Sequence, residues 1–393
     1  MQHHDKKHVV IDARVVVSNQ SHGIARYTEE IVRNFRHLDC SLRFTLLVHP
    51  DSPLLSMVWP ENFTLKALKT SWMSWLGQLE LFWCLRKLKP DLFHAPSFIV
   101  PFLSNVPLVT TIHDLNHVVL SENYSIFHRL YYSVLLSRKI KKAKSVITVS
   151  EFSRNEIVNF FRTPSDNVTV IHNGISENFQ EHENTTGLSA EEILRKYELP
   201  ERYILSVGNK KPHKNIARLV EAWCASNCTT ALVLLSEFDP NLVAIAERAH
   251  KKHNLYFLRF VPNEFLPTIY SRAEIFVYPS MYEGFGLPPL EAAACGTQVI
   301  VSNTSSMPEV MSHHAIYIDP SDTENIARTL EKAMENLTHT KGQNALAGQK
   351  HARGFSWLRA SRETLNIFEN VLNEIEQSKS VNSTLPKRDP RHA

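Results

Sequence analysis

The sequence predicts an α/β protein built from two Rossmann-like domains, each with a doubly wound parallel sheet. The chain has 393 residues, a length that indicates two domains rather than one. Apolar runs of strand length alternate with amphipathic helical stretches over most of its length, as in successive βα units. Each half also opens with a strand, a glycine-containing loop and a helix, an arrangement that binds phosphate groups at the helix N-terminus.

The composition is that of a globular chain, with 43% hydrophobic and 21% charged residues. A net charge of +3 gives no reason to expect a nucleic-acid partner. No stretch approaches a membrane span in length, and the N-terminus lacks the long apolar core of a secretory leader. Five scattered cysteines fit a reducing compartment, and Cys224 and Cys228 have no His or Cys cluster that would complete a metal site. We therefore expect a cytoplasmic protein without a metal site.

The first half begins with the apolar run VVIDARVVV (9–17), which predicts a buried strand. The loop Ser18–Gly23 and an amphipathic helix follow it. Two of the later strands end in His94 and His113, at the edge where open parallel sheets bind ligands. The pattern predicts the remaining strands of this half at 43–49, 91–96, 107–115, near 145 and at 168–175, and helices at 71–89, 121–144 and up to 161.

Two stretches of the first half have alternative interpretations. Helix 71–89 is rich in aromatic residues and ends in basic ones, so it either packs in the core or lies at a membrane interface. Because an aromatic stripe at helical spacing is more often core, we expect core. The basic run RKIKKAK (138–144) is either solvated or held against an anionic bilayer, and both interpretations stay open. The helix carries Trp72, Trp75, Leu79, Phe82 and Trp83, followed by Arg86, Lys87 and Lys89.

The second half opens with the strand YILSVG, a lysine-rich loop and a helix from about Asn215. Lys210, Lys211 and Lys214 bring positive charge to this helix N-terminus, which suits a diphosphate. The alternative is that these lysines are simply solvated. Further strands are predicted at 230–236, 254–261 and 314–320, with helices at 263–273, 322–336 and 354–372.

The most informative stretch of the chain is Tyr278–Val310. It predicts a strand, a loop, a helix from about 288 to 295 and a second strand, QVIVS. Glu283 and Glu291 bracket the loop and the first helical turns. Taken alone, a pair of glutamates eight residues apart is more often a pair of solvated helix charges than a site.

The residues between the two glutamates favour a site. Gly284 and Gly286 let the backbone approach a ligand closely. The amides of Gly286 and Leu287, at the head of the helix, can donate to oxygens of a sugar or a phosphate. The loop also lies between a strand and a helix N-terminus, where open α/β sheets bind their ligands.

The segment EGFGLPPLEAAACGTQVI closely resembles the Glu-x7-Glu segment of retaining nucleotide-sugar glycosyltransferases of family 4. The segments VGNKKPHKN, TIHDL and HGIARYT also resemble this family, most closely its bacterial mannosyltransferases of surface polysaccharide synthesis. The resemblance covers about residues 8–375. It implies the GT-B fold, in which two Rossmann-like halves face each other across a cleft.

The resemblance also implies roles for particular residues. His113 and Glu283 correspond to residues at the transferred sugar, and we predict them as catalytic. The chain departs from many relatives at His22, where a double glycine would begin, and at Asn209, where an arginine is common. No metal ligands or cofactor are implied, and the nucleotide sugar is a substrate. The predicted donor-binding residues are Gly23, Lys210, Lys214, Val261, Gly284, Phe285, Gly286, Leu287 and Glu291.

The predicted domain boundaries follow the same pattern. Residues 1–177 form an N-terminal acceptor domain that helix 357–375 completes, and residues 178–200 form a linker. Residues 201–356 form the nucleotide-sugar donor domain. Residues 377–393 are polar and predicted to be disordered.

The predicted reaction is transfer of a hexose, with retention, from a nucleotide diphosphate sugar to a glycan or lipid-linked acceptor. GDP-mannose is the expected donor, and contact with the inner face of the cell membrane stays open. A nucleotide-sugar epimerase of the same fold is one alternative, which needs acid and base groups poised for C–H chemistry. A non-catalytic sugar-nucleotide-binding protein is another, which has no chemical need for His113, Lys214, Glu283 and Glu291 together.

Overall fold

The computed structural model describes residues 6–18, 23–119, 131–180 and 187–384. Strands and helices alternate within these residues, as the sequence predicts. The strands are β1 (His8–Asp12), β2 (Arg43–Val48), β3 (Phe63–Ala67), β4 (Leu92–Ala95), β5 (Leu108–Thr111), β6 (Ser145–Thr148), β7 (Val168–Val170), β8 (Tyr203–Val207), β9 (Ala231–Leu235), β10 (Leu255–Leu258), β11 (Ile275–Tyr278), β12 (Gln298–Ser302) and β13 (Ile316–Ile318).

The helices of the described residues vary from single turns to two long helices at the C-terminal end. They are α1 (Gly23–Phe35), α2 (Trp75–Leu88), α3 (Asn116–Val119), α4 (Ser137–Ile140, preceded by a π-helical segment Tyr131–Leu136), α5 (Glu151–Phe161), α6 (Glu177–Gln180), α7 (Ala190–Lys196), α8 (Ile216–Ala225), α9 (Pro240–Arg248), α10 (Leu266–Arg272), α11 (Leu287–Ala294), α12 (Met307–Met311), α13 (Thr323–Ala352) and α14 (Trp357–Thr384). Short 3₁₀ turns occupy Pro53–Ser56, Ser165–Asn167, Pro212–Lys214 and Lys252–Asn254.

The chain divides into two compact units. The first takes the described residues of Met1–Val149, Arg154–Ile171 and Trp357–Ala393, and the second takes those of Ser150–Ser153 and His172–Ser356. The first unit holds a seven-stranded sheet of order β3-β2-β1-β4-β5-β6-β7, and the second a six-stranded sheet of order β10-β9-β8-β11-β12-β13. All recorded pairings are parallel, so the prediction of two doubly wound Rossmann-like sheets is confirmed.

The strand order of each sheet reverses at one place. In the first unit the neighbours there are β1 and β4, and in the second they are β8 and β11. Loops that leave the carboxyl ends of two such strands run to opposite faces of the sheet and leave a crevice in which open α/β proteins bind ligands. In the second unit the loops after β8 and β11 are the lysine-rich loop and the Glu283 loop.

The cores explain why the strands read as continuous apolar runs. Helices cover both faces of each sheet, so strand residues such as Val10, Phe93 and Val146 are fully buried in the first unit. In the second unit Ile204 and Ile300 pack with helix residues in the same way. Because both faces of each sheet are buried, the strands show no alternation of polar and apolar residues.

Several elements differ from the sequence prediction. The strand predicted at 9–17 ends at Asp12, because the Asp12 carboxylate turns to bind the buried Arg14 guanidinium at 2.7 and 2.6 Å. Strand β3 was not predicted, since it lies at the sheet edge with only Phe63 buried and so lacks an apolar run. The predicted linker 178–200 contains helix α7, which a capping box between Ser189 and Glu192 begins.

The C-terminal helices are longer than predicted. Helix α13 extends to Ala352, and helix α14 runs to Thr384, so the expectation of disorder from residue 377 is wrong for residues 377–384. No proline or glycine interrupts α14 before Pro386, and Glu376 forms an ion pair with Lys7 that holds this part of the helix. Residues 385–393 lie outside the described residues, as do 19–22, 120–130 and 181–186.

The expectation that the aromatic helix 71–89 packs in the core is wrong. The structure forms α2 at Trp75–Leu88, but its buried residues are Gly77, Gln78, Leu81, Cys84 and Leu85. Two of the large aromatic side chains lie on the other side, where Trp75 is 76% exposed and Trp83 is 65% exposed. Helical periodicity was identified correctly, but both faces of this helix are apolar, and the sequence alone did not show which one is buried.

Candidate functional site

The loop after β8 positions Lys214. It ends in the 3₁₀ turn Pro212–Lys214, and Asn215 follows with a left-handed backbone (φ 58°). The buried Asn215 amide donates to the carbonyl oxygens of Pro279 at 3.1 Å and Pro320 at 2.7 Å. The lysine-rich loop is thereby fixed to the ends of β11 and β13, and Lys214 lies beside the Glu283 loop.

Lys214, Glu283 and Tyr278 form a closed hydrogen-bonded cluster. The Lys214 ammonium lies 2.6 Å from the Glu283 carboxylate and 3.0 Å from the Tyr278 hydroxyl. The Tyr278 hydroxyl donates to the same Glu283 oxygen at 2.8 Å. The side chains of Lys214 and Glu283 are only 17% and 13% exposed, so this pair has been largely removed from water.

The cluster fixes the charge of both ionisable partners. Burial opposes the charged form of each, but the nearby opposite charge outweighs it. The pKa of Lys214 therefore lies above its ordinary value, because the Tyr278 and Glu283 oxygens more than offset desolvation. The pKa of Glu283 lies below its ordinary value, because Lys214, Ser280 and Tyr278 offset its desolvation. At neutral pH the cluster holds one ammonium and one carboxylate.

Hydroxyl groups hold the Glu283 loop in a defined shape. The Glu283 amide donates to Ser305 Oγ at 3.2 Å, and Ser306 Oγ donates to the carbonyls of Glu283 and Phe285 at 3.0 Å each. Within the same unit, Ser150 Oγ donates to the Gly284 carbonyl at 2.6 Å. These contacts to the backbone hold the loop in place without the Glu283 side chain.

Phe285 is a packing residue in this structure. Its ring is buried and lies 5.9 Å from the His172 ring and 5.8 Å from the Phe355 ring. A donor-binding role for Phe285 would therefore use its backbone.

Helix α11 begins at the Glu283 loop without a side-chain cap. Gly286 is its N-cap residue, with φ 94°. Pro288 and Pro289 bring no N–H groups to the first turn, which leaves the Leu287 amide at the helix end without an intrahelical partner. The helix dipole adds partial positive charge at this point, so a phosphate or sugar oxygen fits here.

Replacing Gly286 with alanine is expected to lower the free energy of unfolding by roughly 1–3 kcal/mol. An added Cβ would lie 2.2 Å from Met307 Cε, and the φ of 94° strains any L side chain. The matched control is Gly23→Ala at the start of α1, where a Cβ meets nothing within 4 Å. Urea unfolding of both variants measures the effect. An equal and small change in both would show that the conformation of Gly286 is not required.

Glu291 lies one turn into α11 and is buried. Its carboxylate accepts a hydrogen bond from the Tyr270 hydroxyl at 3.2 Å. Tyr270 belongs to helix α10. Glu291 stays a predicted donor-binding residue, and its carboxylate is buried and hydrogen-bonded.

Lys210 and Val261 lie elsewhere in the second unit. Lys210 borders a cavity of about 240 Å³ at the carboxyl ends of β8 and β9, whose lining does not include Lys214, Glu283 or Glu291. Its ammonium is 4.0 Å from Glu237. Val261 is buried just beyond β10, next to the exposed Phe260. The structure therefore brings Lys214 and Glu283 together but does not place Lys210 with them.

In the first unit, His113 lies just beyond β5 and is half-buried. Its Nε2 is 3.0 Å from the Pro96 carbonyl, and its ring meets the Tyr27 ring edge to face at 4.6 Å. These contacts orient the imidazole. Gly23 is the exposed first residue of α1.

His94 differs from His113, although both follow the same sequence pattern. His94 is fully buried, with Nε2 3.1 Å from Thr111 Oγ1, and burial lowers its pKa to about 3. It is therefore a neutral core residue and is not a site residue.

Among the residues that the structure describes, no group of three or more His, Cys, Asp or Glu side chains is arranged to hold a metal ion. In the same residues, no helix is long and apolar enough to cross a membrane.

Sequence reasoning missed several residues that shape the site. Tyr278 was read only as the end of a strand, although the carboxyl end of a strand next to the reversal of strand order is where site residues lie. Asn215 was read only as a helix start, and its left-handed backbone was the missing signal. Ser305 and Ser306 carry no sequence signal, because their partners are backbone atoms 22 and 23 residues away.

Comparison with known proteins gives matches over both units. A model described as Glycosyltransferase Family 4 matches residues 21–179, and one described as Glycosyl transferases group 1 matches residues 189–347. The chain is 32% identical over 295 residues to the O-antigen chain mannosyltransferase B of Escherichia coli, covering 73% of this chain and 76% of that protein. It is 29% identical over 303 residues to the serotype-specific mannosyltransferase WbdA of E. coli, covering 72% of this chain but only 36% of that protein.

Among solved structures, Anabaena HepE in complex with UDP and glucose matches with a TM-score of 0.73 at 17% identity, over 93% of this chain and 100% of that chain. At this identity the likeness concerns the fold alone. Together with the two parallel sheets, it identifies the fold as GT-B.

Proposed function

The chain belongs to glycosyltransferase family 4, and from that premise we propose that it transfers mannose from a nucleotide diphosphate sugar to a hydroxyl of a glycan or lipid-linked saccharide. The class of enzyme, a glycosyltransferase, follows from the family. The sugar is inferred from the two relatives named above, both of which are mannosyltransferases. GDP-mannose is the proposed donor, and the reaction serves synthesis of a surface polysaccharide.

The observation that carries the proposal is the Lys214–Glu283 cluster beside the N-terminus of α11. Loss of a nucleoside diphosphate leaves negative charge on a phosphate oxygen, and a fixed cation stabilises that charge without reorganising. Lys214 is such a cation, because its raised pKa keeps it protonated at neutral pH. The Leu287 amide at the start of α11 supplies a second positive partner.

The remaining roles are proposed from the family resemblance. We assign Glu291 to the ribose hydroxyls, because a buried carboxylate oxygen can accept hydrogen bonds from paired hydroxyls. Glu283 is assigned to hydroxyls of the transferred sugar. As the resemblance implies, His113 is assigned to the transferred sugar and Gly23 to the diphosphate.

The proposed step retains the anomeric configuration. The acceptor oxygen forms a bond to the anomeric carbon on the face from which the diphosphate leaves, and the bond from that carbon to the phosphate oxygen breaks. The acceptor proton passes to the departing phosphate oxygen, so no protein base is needed. Lys214 and the α11 amide replace a divalent cation as the source of positive charge, and the reaction is proposed to be metal-independent.

The location of the enzyme is part of the proposal. It acts in the cytoplasm and contacts the inner face of the cell membrane, where a lipid-linked acceptor is presented. The first unit supplies a surface for this contact.

A thermal-shift panel tests the donor site. GDP-mannose, UDP-glucose, UDP-N-acetylglucosamine and the free nucleotides are each added with and without EDTA. We expect GDP-mannose at 100 times its dissociation constant to stabilise the native state by about 2.7 kcal/mol, with no effect of EDTA. Glu291→Gln should abolish the shift, whereas Glu247→Gln, at an exposed glutamate of the same unit, should not.

The panel has two contrary outcomes. Stabilisation by none of the nucleotide sugars would overturn the donor-site assignment. Stabilisation that EDTA removes would overturn metal independence.

A further inference from the structure

Helix α2 presents an apolar face to solvent. The exposed side chains Met73, Trp75, Leu76, Leu79 and Trp83 lie just before or within the helix. At 100° per residue, positions 75, 79, 83 and 76 fall within about 100° of one another, opposite the buried Gly77, Leu81 and Cys84. A contiguous exposed aromatic face of this kind marks an interaction surface.

Several contacts fix the orientation of this helix on the first unit. Ser74 caps its N-terminus by accepting from the Gly77 amide at 2.9 Å, and the buried Arg14 guanidinium donates to the Gly77 carbonyl at 3.3 Å. Leu81 and Leu85 pack in the core of the first unit. The apolar face is therefore a fixed feature of the fold.

Charge identifies the occupant of this surface. Arg86, Lys87 and Lys89 are exposed at the C-terminal end of the helix, and the Arg86 guanidinium lies 5.9 Å above the Trp83 ring. Between residues 69 and 90 the sole acidic residue is Glu80. Its carboxylate accepts from the amides of Lys69 and Thr70 at 3.3 and 3.1 Å and from the Thr70 hydroxyl, so its recorded partners precede the helix and lie away from its basic end in the chain.

We infer that the exposed face of α2 docks on an anionic phospholipid bilayer. Aromatic side chains next to lysine and arginine match the boundary between acyl chains and anionic headgroups. The helix has 14 residues and spans about 21 Å, too short to cross the hydrocarbon core, so it lies in the plane of the surface. A second copy of the chain fits less well, since a two-fold contact would bring this basic face to itself without acidic partners.

The inference deepens the proposed function, because it supplies the membrane contact of that proposal. It concerns only the first unit, and its test needs no sugar nucleotide. A failure of vesicle binding would therefore leave the donor-site result intact.

The test is flotation of the full chain with vesicles of phosphatidylcholine alone or with 30% phosphatidylglycerol. We expect binding only to the anionic vesicles. Trp75→Ala/Trp83→Ala should raise the lipid concentration for half-binding by roughly tenfold or more. Arg86→Glu/Lys87→Glu should do the same through charge.

Two matched controls isolate the α2 face. Lys141→Glu/Lys142→Glu makes the same change of charge in the basic run 138–144 and should leave most of the binding. Trp75→Phe/Trp83→Phe should retain binding but lose most of the tryptophan quenching by brominated phospholipids. All the substituted side chains are exposed or keep their ring, and thermal unfolding of each variant confirms its fold.

Three results would overturn the inference. The first is equal binding to neutral and anionic vesicles, or to neither. The second is loss of binding in Lys141→Glu/Lys142→Glu but not in Arg86→Glu/Lys87→Glu. The third is a dimer in light scattering that Trp75→Ala/Trp83→Ala dissociates without any change in vesicle binding.

Discussion

Replacing Lys214 with methionine is expected to lower kcat/KM for sugar transfer by roughly 10²–10³-fold. Methionine keeps much of the length of the side chain but removes the charge that faces the departing diphosphate. The loss should appear mainly in kcat, because the charge on the diphosphate grows as its bond to the sugar breaks. Steady-state kinetics with the donor identified by the thermal-shift panel gives both parameters.

The same substitution is expected to destabilise the fold by about 3–5 kcal/mol at neutral pH. Glu283 is 13% exposed and binds Lys214 at 2.6 Å, so the variant leaves a carboxylate in the interior without its cation. The effect is measured as the free energy of unfolding in urea.

A double variant separates the two losses. Lys214→Met/Glu283→Gln removes the unpaired charge and should recover most of the stability, but it should not recover activity. Lys252→Met, at an exposed lysine of the same unit, is the matched control and should change neither. Recovery of activity in the double variant would mean that Lys214 acts only by pairing with Glu283.

The pH dependence of the stability loss has a defined sign. In the wild type the pKa of Glu283 is lowered, so its ion pair stabilises the fold above the unfolded pKa near 4.3 and is lost as pH falls through the folded value. Without Lys214, desolvation raises the pKa of Glu283, and the ionised form costs stability as pH rises through that value. The stability difference between wild type and Lys214→Met should therefore narrow from about pH 7 to about pH 4.

The sequence predicted the parts of this protein that depend on local pattern. Strands such as β8 and β11 are apolar runs followed by glycine or proline, and the loops after them carry the lysine and the glutamates. Parallel order then brings their carboxyl ends to one edge of the sheet. This is enough to predict that Lys214 and Glu283 lie near each other.

The sequence pattern did not reveal features that depend on which surfaces of the protein pack against each other. Helix α2 is apolar on both faces, so periodicity located the helix but not its buried side. His94 and His113 both follow apolar strands, and only the structure shows that one is enclosed in the core while the other is half-buried at the strand end. The direct contact of Lys214 with Glu283 depends on the left-handed turn at Asn215, which no periodicity encodes.

Glu283→Gln is expected to lower kcat by roughly 10²–10³-fold while leaving donor affinity nearly unchanged. It should also destabilise the fold by about 3–5 kcal/mol, because the Lys214 ammonium, which is 17% exposed, loses its carboxylate. Glutamine is close in shape to glutamate, and its carbonyl oxygen can still accept from Lys214 and Tyr278. It weakens the bonds to hydroxyls of the transferred sugar, since a neutral amide is a poorer acceptor than a carboxylate. Kinetics, calorimetric donor titration and urea unfolding report the three quantities separately.

We propose that Glu283 positions the transferred sugar and does not act as a nucleophile. Its oxygen Oε1 accepts from both Lys214 and Tyr278, and its lowered pKa marks a carboxylate stabilised in place, which is correspondingly less basic. We therefore expect no covalent mannosyl enzyme in wild type quenched during turnover and analysed by mass spectrometry.

Azide sharpens the distinction between the two roles. If Glu283 were the nucleophile, Glu283→Ala would leave space in which azide attacks the anomeric carbon from the opposite face, giving a mannosyl azide of inverted configuration. If Glu283 only positions the sugar, the mechanism has no attack on the opposite face for azide to replace, because the acceptor attacks on the face that the diphosphate leaves. Azide should therefore not restore donor consumption in Glu283→Ala, and recovery of an inverted azide would instead establish double displacement through Glu283.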